Sequence, residues 1–350
     1  SHTVYEQGRL ALEADFAYQN NHRKELSEPV SHGYMPVPPS SLEREFKKDT
    51  YTANLIARLS LGSRHTLTAG FNSEYQHNRR SGWGFIMPDF ETASFGTYAF
   101  DRFTVRKDLI LNAGVRYDHV RTSIHSYRDW FKTPVSATDS VFKERSEDLR
   151  RSFNSLTWSA GVNYSVGQWI LKANVGKSFR VPIPKELGTD GVNYHIFRYE
   201  KGNPGLNPEE SYQLDAGIHW GNDRVTVQFD PYLNYFPNYI YMNPTPDYYE
   251  GLQWYYYTQS RVIRWGFELQ TDWKILPSLD AELKGEYLYA EQLSGEKKGY
   301  TLPFSTPWSA DVTLKYGFCR KKAGNEGFVA LNLHVTGRQN RIVPPEKPTS

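Results

Sequence analysis

The 350-residue chain carries 41 basic and 39 acidic side chains, a net charge of +2, and that balance excludes a dedicated nucleic-acid binder, which shows a basic excess or stripe. Aromatic residues make up 15% of the chain although its mean hydropathy is −0.65, so polar and aromatic surface coexist in unusual amounts. A single cysteine, Cys319, excludes an internal disulfide framework and any multi-cysteine metal site, and no run of about 18 apolar residues offers a membrane-spanning helix.

The opening SHTVYEQGRL lacks the charged and apolar regions of a signal peptide, so the chain reads as a mature or excised segment. From there the pattern predicts strands nearly throughout. Leu10, Leu12, Ala14, Phe16 and Tyr18 alternate with Ala11, Glu13, Asp15 and Ala17. The same period of two returns in Leu55–Leu61, Leu67–Tyr75, Leu109–Tyr117 and Leu156–Tyr164. It resumes in Tyr212–Trp220, Val225–Phe229, Phe267–Trp273, Leu279–Tyr289, Ala310–Phe318 and Val329–Val335. The whole chain is read as about 13 such segments. No long helix pattern appears; a short helix within 185–199 is the one candidate.

Two features specify the kind of sheet. Connections alternate between short turns (Gly62-Ser63-Arg64, Val166-Gly167-Gln168, Gly221-Asn222-Asp223, Leu276-Pro277-Ser278) and long polar segments near 20–48, 77–92, 121–153, 180–210, 236–257 and 290–306. That asymmetry is typical of an outer-membrane barrel. In addition, carboxylates and arginines occupy strand centres, while the apolar rows end in Tyr or Trp. An outward lipid-facing band with aromatic girdles around a polar lumen accounts for both. The alternative is a soluble jelly roll or large sandwich, whose apolar rows would press against a second protein layer.

The segment SFRVPIPKELGTDGVNYHIFRYEKGNPGLNPEESYQLDAGIHW, 178–220, interrupts the pattern. Prolines 182, 184, 204 and 208 cannot donate to a ladder, so they mark where one strand ends and the next begins. Phe179-Arg180-Val181-Pro182 resembles the Phe-Arg-Ala-Pro box of TonB-dependent outer-membrane transporters, and Asn203-Pro204-Gly205-Leu206 their Asn-Pro-Asp-Leu box. Gly205 departs from that box, removing a carboxylate and permitting a tighter turn. Gly114-Val115-Arg116-Tyr117-Asp118, Trp265-Gly266-Phe267-Glu268 and Leu302-Pro303-Phe304 with Pro307 are similar to further segments of the same family, in its order.

This resemblance implies an all-β fold: an antiparallel transmembrane β-barrel, here about 13 strands of the family's 22-stranded plugged barrel, with short periplasmic turns and long extracellular loops. Residues 1–350 are then expected to be a partial barrel domain, with the plug, early strands and last strands outside the chain. It further implies a Gram-negative outer-membrane location, lipid and lipopolysaccharide around a monomeric barrel, and a nutrient ligand such as an iron chelate, haem or metal. The periplasmic TonB protein is the implied energy-coupling partner, acting through the plug; no resident cofactor is implied. A passive porin-like channel or an adhesin on the same barrel remains the alternative. Enzyme motifs such as Gly-x-Ser-x-Gly or His-Glu-x-x-His are absent from the sequence.

Within the resemblance, haem receptors place a histidine between the two boxes, which makes His195 a candidate metal or haem ligand with Tyr194, Arg198 and Tyr199 beside it. A bracing role in the loop stays open, as does a structural Arg198–Glu200 ion pair. Arg79, Arg80, Trp83 and Phe85 form a mixed cluster suited to an anionic aromatic ligand. Tyr248, Tyr249 and Trp254 belong to an aromatic-rich loop that either grips ligand or packs as a girdle. Arg116, Asp118, Glu268 and Lys284 are expected to face the lumen.

Overall fold

Alternation gives each strand one apolar and one polar face, and the computed structural model, which describes residues 1–318 and 327–345, pairs the strands so that the apolar faces coincide. Cys319 lies outside the described residues. The elements are β1 (His2–Gln7), β2 (Leu10–Leu26), β3 (Leu42–Leu61), β4 (His65–Ser81), β5 (Phe90–Arg106), β6 (Leu109–Ile124), β7 (Tyr127–Pro134), β8 (Ser140–Ser146), β9 (Leu149–Val166) and β10 (Trp169–Arg180). They continue with α1 (Pro184–Gly188), β11 (Asp190–Asn193), β12 (Arg198–Lys201), β13 (Glu209–Gly221), β14 (Val225–Tyr249), β15 (Leu252–Leu276), β16 (Leu279–Gln292), β17 (Ser309–Phe318) and β18 (Gly327–Thr336). Fourteen of these strands, β1–β6, β9, β10 and β13–β18, follow one another in chain order along a single antiparallel path. Strands β7 and β8 form a separate hairpin, and the expected short helix is α1. Strands β1, β5 and β10 lie outside the alternating rows that the sequence displays.

The apolar band is continuous. Val175, Leu214, Leu233 and Trp265 stand opposite one another across four strands, as do Ala14, Leu55, Phe71 and Thr97 across another four. Among the described residues no second protein layer covers these side chains: Phe16 is 54% exposed and Leu214 51%. That is the arrangement of a lipid-facing wall and the opposite of a sandwich core. The band ends in aromatic rows, with Tyr18, Tyr51 and Tyr75 in sequence across β2–β4 (ring centroids 5.0 and 6.4 Å apart) and Trp169 beside Trp220 at the other margin, 6.2 Å apart.

The polar face carries charge pairs at mid-strand. Arg116 donates to Asp118 (2.7 Å from Nε) and to Asn72 (2.8 Å), while Lys284 pairs with Glu282 at 2.5 Å. Gly96 lies opposite Asp118, and a Cβ there would collide with the Arg116 guanidinium and the Asp118 carboxylate; glycine is what leaves room for the pair.

Several segments expected to be loops are strand. The 20–48 connection is reduced to 27–41, because β2 runs to Leu26 and β3 starts at Leu42. The 236–257 connection is reduced to a turn at Glu250-Gly251, where both residues have positive φ (49° and 80°), the geometry of a tight hairpin between right-twisted strands. At about 3.3 Å per residue, the 25-residue β14 and β15 extend far beyond the roughly 9–11 residues a bilayer requires. Backbone ladders do not need apolar side chains in water, so polar stretches continue the strands past the membrane without the alternation that signals them.

Candidate functional site

The long connections converge beyond one end of the apolar band and form a roof with its own core. Phe90, Ile124, Phe153, Leu187, Leu206, Ile240 and Tyr257 pack together there, drawn from five strands and the 181–208 segment. The two sequence boxes build this roof. Pro182 is fully buried, and Pro184 starts α1 at a position where a missing N–H costs nothing. Glu186, in the first turn of α1, accepts from the Ile183 N–H (2.9 Å) and twice from Arg180 (3.0 and 2.8 Å). Arg180 also donates to Glu209 (3.3 Å), at the start of β13, and so clamps the exit of one strand to the entry of the next.

In the second box the Asn203 carboxamide accepts from the Gly205 N–H at 2.9 Å, closing an Asx turn. The turn is thus made by the asparagine, and Gly205 does not use the left-handed conformation that its identity permits. Arg151 of β9 donates to the carbonyls of Pro204 and Leu206, and Leu206 inserts into the roof core at 1% exposure. Arg180, Pro182, Asn203, Pro204 and Leu206 are therefore roof-building residues, whereas Phe179 lies at the end of β10 in the outward register of Leu171 and Val175, opposite Glu210.

Strand β12 docks the roof on the wall by pairing in parallel with the upper part of β15, Arg198 opposite Gln253 and Lys201 opposite Tyr256. Glu200 is fully buried between Lys185 (2.5 Å), Arg198 (2.7 Å) and Asn193 (3.1 Å). Burial pushes its pKa up, but Lys185 and Arg198 outweigh that and hold the carboxyl below its ordinary range. On the other side of the strand, buried Tyr199 donates to Asp190 and accepts from Lys143 (3.1 Å) and Arg145 (3.3 Å). Arg145 is in turn paired with Asp129 at 2.7 Å. Burial and Asp190 raise the Tyr199 phenol, and burial together with Arg145 lowers Lys143.

Below and beside this roof lies a cavity of about 820 Å³. The polar-face residues Arg23 of β2 and Arg44 and Lys48 of β3 form one wall, and Lys185, Asn193 and His195 of the roof form another. Glu25 partly neutralises this wall by pairing with Arg44 (2.6 Å) and Arg23 (2.5 Å). Buried Glu43 also pairs with Arg44 (3.1 Å) and Lys185 is held by Glu200, so the excess positive charge of the lining rests on Lys48. The cavity can hold a small anionic molecule with its charged edge toward β2 and β3.

The sequence candidates are distributed over several places. His195 lines the cavity, half exposed, with Nε2 3.2 Å from buried Glu43. Tyr194 turns away into the roof, stacked on His32 (4.9 Å) and near Trp83 (6.0 Å), with its hydroxyl 3.7 Å from the Met35 sulfur; burial pushes its pKa up to about 12. Arg198 and Tyr199 belong to the buried pairs above, and Tyr249 packs against Tyr199 with ring centroids 4.5 Å apart and planes tilted by 37°. Tyr248 is 68% exposed beside the hairpin turn, and Trp254 lines a second cavity along β14 and β15. Arg79 and Arg80 point to opposite faces of β4. Arg79 stands on the outward side, opposite Lys47 and 3.3 Å from His77. Arg80 lies 3.9 Å over the Tyr127 ring and 5.6 Å from Phe85, with Trp83 buried nearby. Among the described residues, no group of three or more His, Cys, Asp or Glu side chains is placed to hold a metal ion.

Arg23, Arg44, Lys48 and Lys185 do not stand out in the sequence by residue type or motif. The signal is nevertheless present: Arg23 and Glu25 keep the parity of Glu13 and Asp15 on β2, and Arg44 and Lys48 that of Arg58 on β3. Assigning 20–48 to a loop discards that parity.

A family model described as TonB dependent receptor-like, beta-barrel, matches residues 2–342. No curated protein matches the chain in sequence. Among solved structures, the chain is similar to the copper transporter OprC (TM-score 0.69, 15% identity, 95% of this chain and 51% of that one). It is similar to the hemophore receptor HasR of Serratia marcescens, solved as a double mutant with its hemophore HasA and heme (TM-score 0.64, 18% identity, 93% and 55% covered). It is also similar to the ferric yersiniabactin uptake receptor FyuA from Yersinia pestis (TM-score 0.59, 12% identity, 96% and 48% covered). At these identities the likeness is one of fold, and the chain spans about half the length of each.

Proposed function

Since the chain belongs to the TonB-dependent receptors through their β-barrel domain, we propose that it forms part of the wall and roof of an outer-membrane receptor that takes up a scarce anionic nutrient. In this reading the partial barrel is completed by segments beyond these residues, and the TonB protein drives uptake from the periplasmic side. Iron chelates, haem and metal complexes are the substrate classes that suit it. The observation that carries the proposal is the roofed cavity with Arg23, Arg44, Lys48 and Lys185 in its walls. Fixed cations in a partly enclosed cavity attract anions more strongly than the same cations on open surface, because fewer waters screen them. His195 lines the same cavity, so a metal ligand there would act on an ion carried in by its chelator.

The test is a fluorescence titration of the full-length receptor with ferric citrate, a ferric catecholate, haem and zinc. An Arg23→Gln/Lys48→Gln double variant is expected to weaken the bound anionic species about tenfold, with affinity that falls as salt rises. Unchanged affinity in that variant, or tight binding of none of the four, would overturn the reading. A His195→Ala variant with unaltered haem and zinc spectra would remove the ligand role alone.

A further inference from the structure

We propose that Lys48 sets the specificity of the basic cavity, selecting a ligand that carries one negative charge on an apolar body. The proposal rests on the reading of this cavity as the nutrient site and narrows it. Most of the charge in the lining is already used within the protein. Arg44, 5% exposed, is held between Glu25 (2.6 Å) and Glu43 (3.1 Å), Arg23 shares Glu25 (2.5 Å), and Lys185 is bound to Glu200 (2.5 Å). An arriving anion gains little from such a cation, because it must compete with the carboxylate that neutralises it. Among the described residues, Lys48 is the one lysine or arginine of the lining with no carboxylate within ion-pair distance. Asn21 of β2 and Asn78 of β4 stand directly opposite it in the two ladders, so its neighbours across the sheet are neutral. Asn21 also lines the cavity, and its carboxamide is a neutral donor for the same anionic group.

Much of the remaining lining is apolar. Phe46 lies two residues along β3 from Lys48, on the same face, and Ile86 and Met87 line the cavity with it. Leu26 and Ile196, 67% and 49% exposed, belong to the same lining. An aromatic or aliphatic body that covers these side chains is drawn in by the apolar area removed from water. A second carboxylate on that body has no free cation to meet. It would lie against Phe46 and Met87 or close to Glu25, and burying an unpaired charge is strongly unfavourable. The cavity therefore discriminates in both directions. A neutral analogue displaces water from Lys48 and gives the ammonium no counter-charge, whereas a dianion brings a charge that nothing in the lining neutralises.

The experiment is isothermal titration calorimetry on the full-length receptor with three probes that share one bicyclic body: naphthoate, naphthamide and naphthalenedicarboxylate. Naphthoate is expected to bind about tenfold more tightly than either of the others. Lys48→Met, which keeps the length of the side chain and removes its charge, is expected to bring naphthoate down to the affinity of the amide. Lys48→Arg keeps the charge and is expected to retain most of the preference. Hydrogen exchange over the β2–β3 and β3–β4 ladders verifies that both variants fold. Equal affinity for naphthoate and naphthamide, tighter binding of the dicarboxylate, or an unchanged preference in Lys48→Met overturns the proposal. If the ferric chelates bind while naphthoate does not, the selection by Lys48 fails and the nutrient site stands; if neither binds, both fail.

Discussion

Leu206 and Leu214 are eight residues apart and occupy opposite environments: the first is 1% exposed inside the roof, the second 51% exposed on the outward band. The roof is built as soluble proteins are, with an apolar core and buried, paired charges. The band inverts that order, with apolar side chains outside and half-hydrated pairs such as Arg58–Glu13 inside. One chain thus holds two solvents' worth of design, and a substitution of a given type should act differently in each.

The largest expected effect is in the roof. Glu200→Ala leaves Lys185 and Arg198 without their shared carboxylate, and breaking a buried pair by removing one partner costs about 3–5 kcal/mol. Because those two side chains are about one-fifth exposed and regain some water, the lower end of that range is expected. Hydrogen exchange should accelerate over 190–206 while the ladders of the band remain protected; uniform acceleration would show that roof and band are one cooperative unit. The same carboxylate sets a pH dependence. Its folded pKa is lowered, so the stabilisation it provides is present above the ordinary carboxylate range and is lost as pH falls through the lowered value. Acid is therefore expected to loosen the roof in the wild type and to add little in Glu200→Ala.

Next in size is an arginine on the band. Leu214→Arg, near the middle of β13, is expected to cost about 2–4 kcal/mol of folding stability in lipid vesicles, the penalty for a cation on the lipid face at mid-membrane. In a water-facing sheet an exposed leucine tolerates the change almost freely. A difference below about 0.5 kcal/mol in urea titrations would thus contradict the lipid-facing assignment of the entire row.

The band was legible in the sequence because a bilayer demands strict alternation, and Leu10 to Tyr18 or Ala310 to Phe318 show it without interruption. Past the membrane that demand ends. The upper parts of β2, β3, β14 and β15 carry residues such as Asn-Asn-His-Arg-Lys at 20–24, in which only the backbone keeps the strand. The boxes at 179–182 and 203–206 marked where the roof would form, yet not that its key partners would be Arg151 and Gln259, 53 and 52 residues from the atoms they bind. His195 stood out by residue type. Its cavity partners Arg23, Arg44 and Lys48 lie more than 140 positions earlier, brought there by the curvature of pairing rather than by any local motif.

The smallest effect expected is at the joint between roof and wall. Arg80 stacks 3.9 Å over Tyr127 and donates to the Gly82 carbonyl at 2.7 Å, while its backbone N–H is held by Asp89 at 2.6 Å. In Arg80→Gln the backbone contact survives, and the loss is a cation–π contact at a partly hydrated site plus one hydrogen bond, about 1 kcal/mol together. Arg80→Lys restores the charge but not the planar fork, so it should recover less than half of the loss. Proteolysis of the β7–β8 hairpin is the sensitive readout, since Tyr127 begins that hairpin and Arg80 is one of its anchors, beside the Phe85–Tyr127 stack and the Trp130 N–H that donates to the Trp83 carbonyl (3.1 Å). If Arg80→Gln instead weakened nutrient binding tenfold with no change in proteolysis, Arg80 would belong to the ligand site and not to the joint.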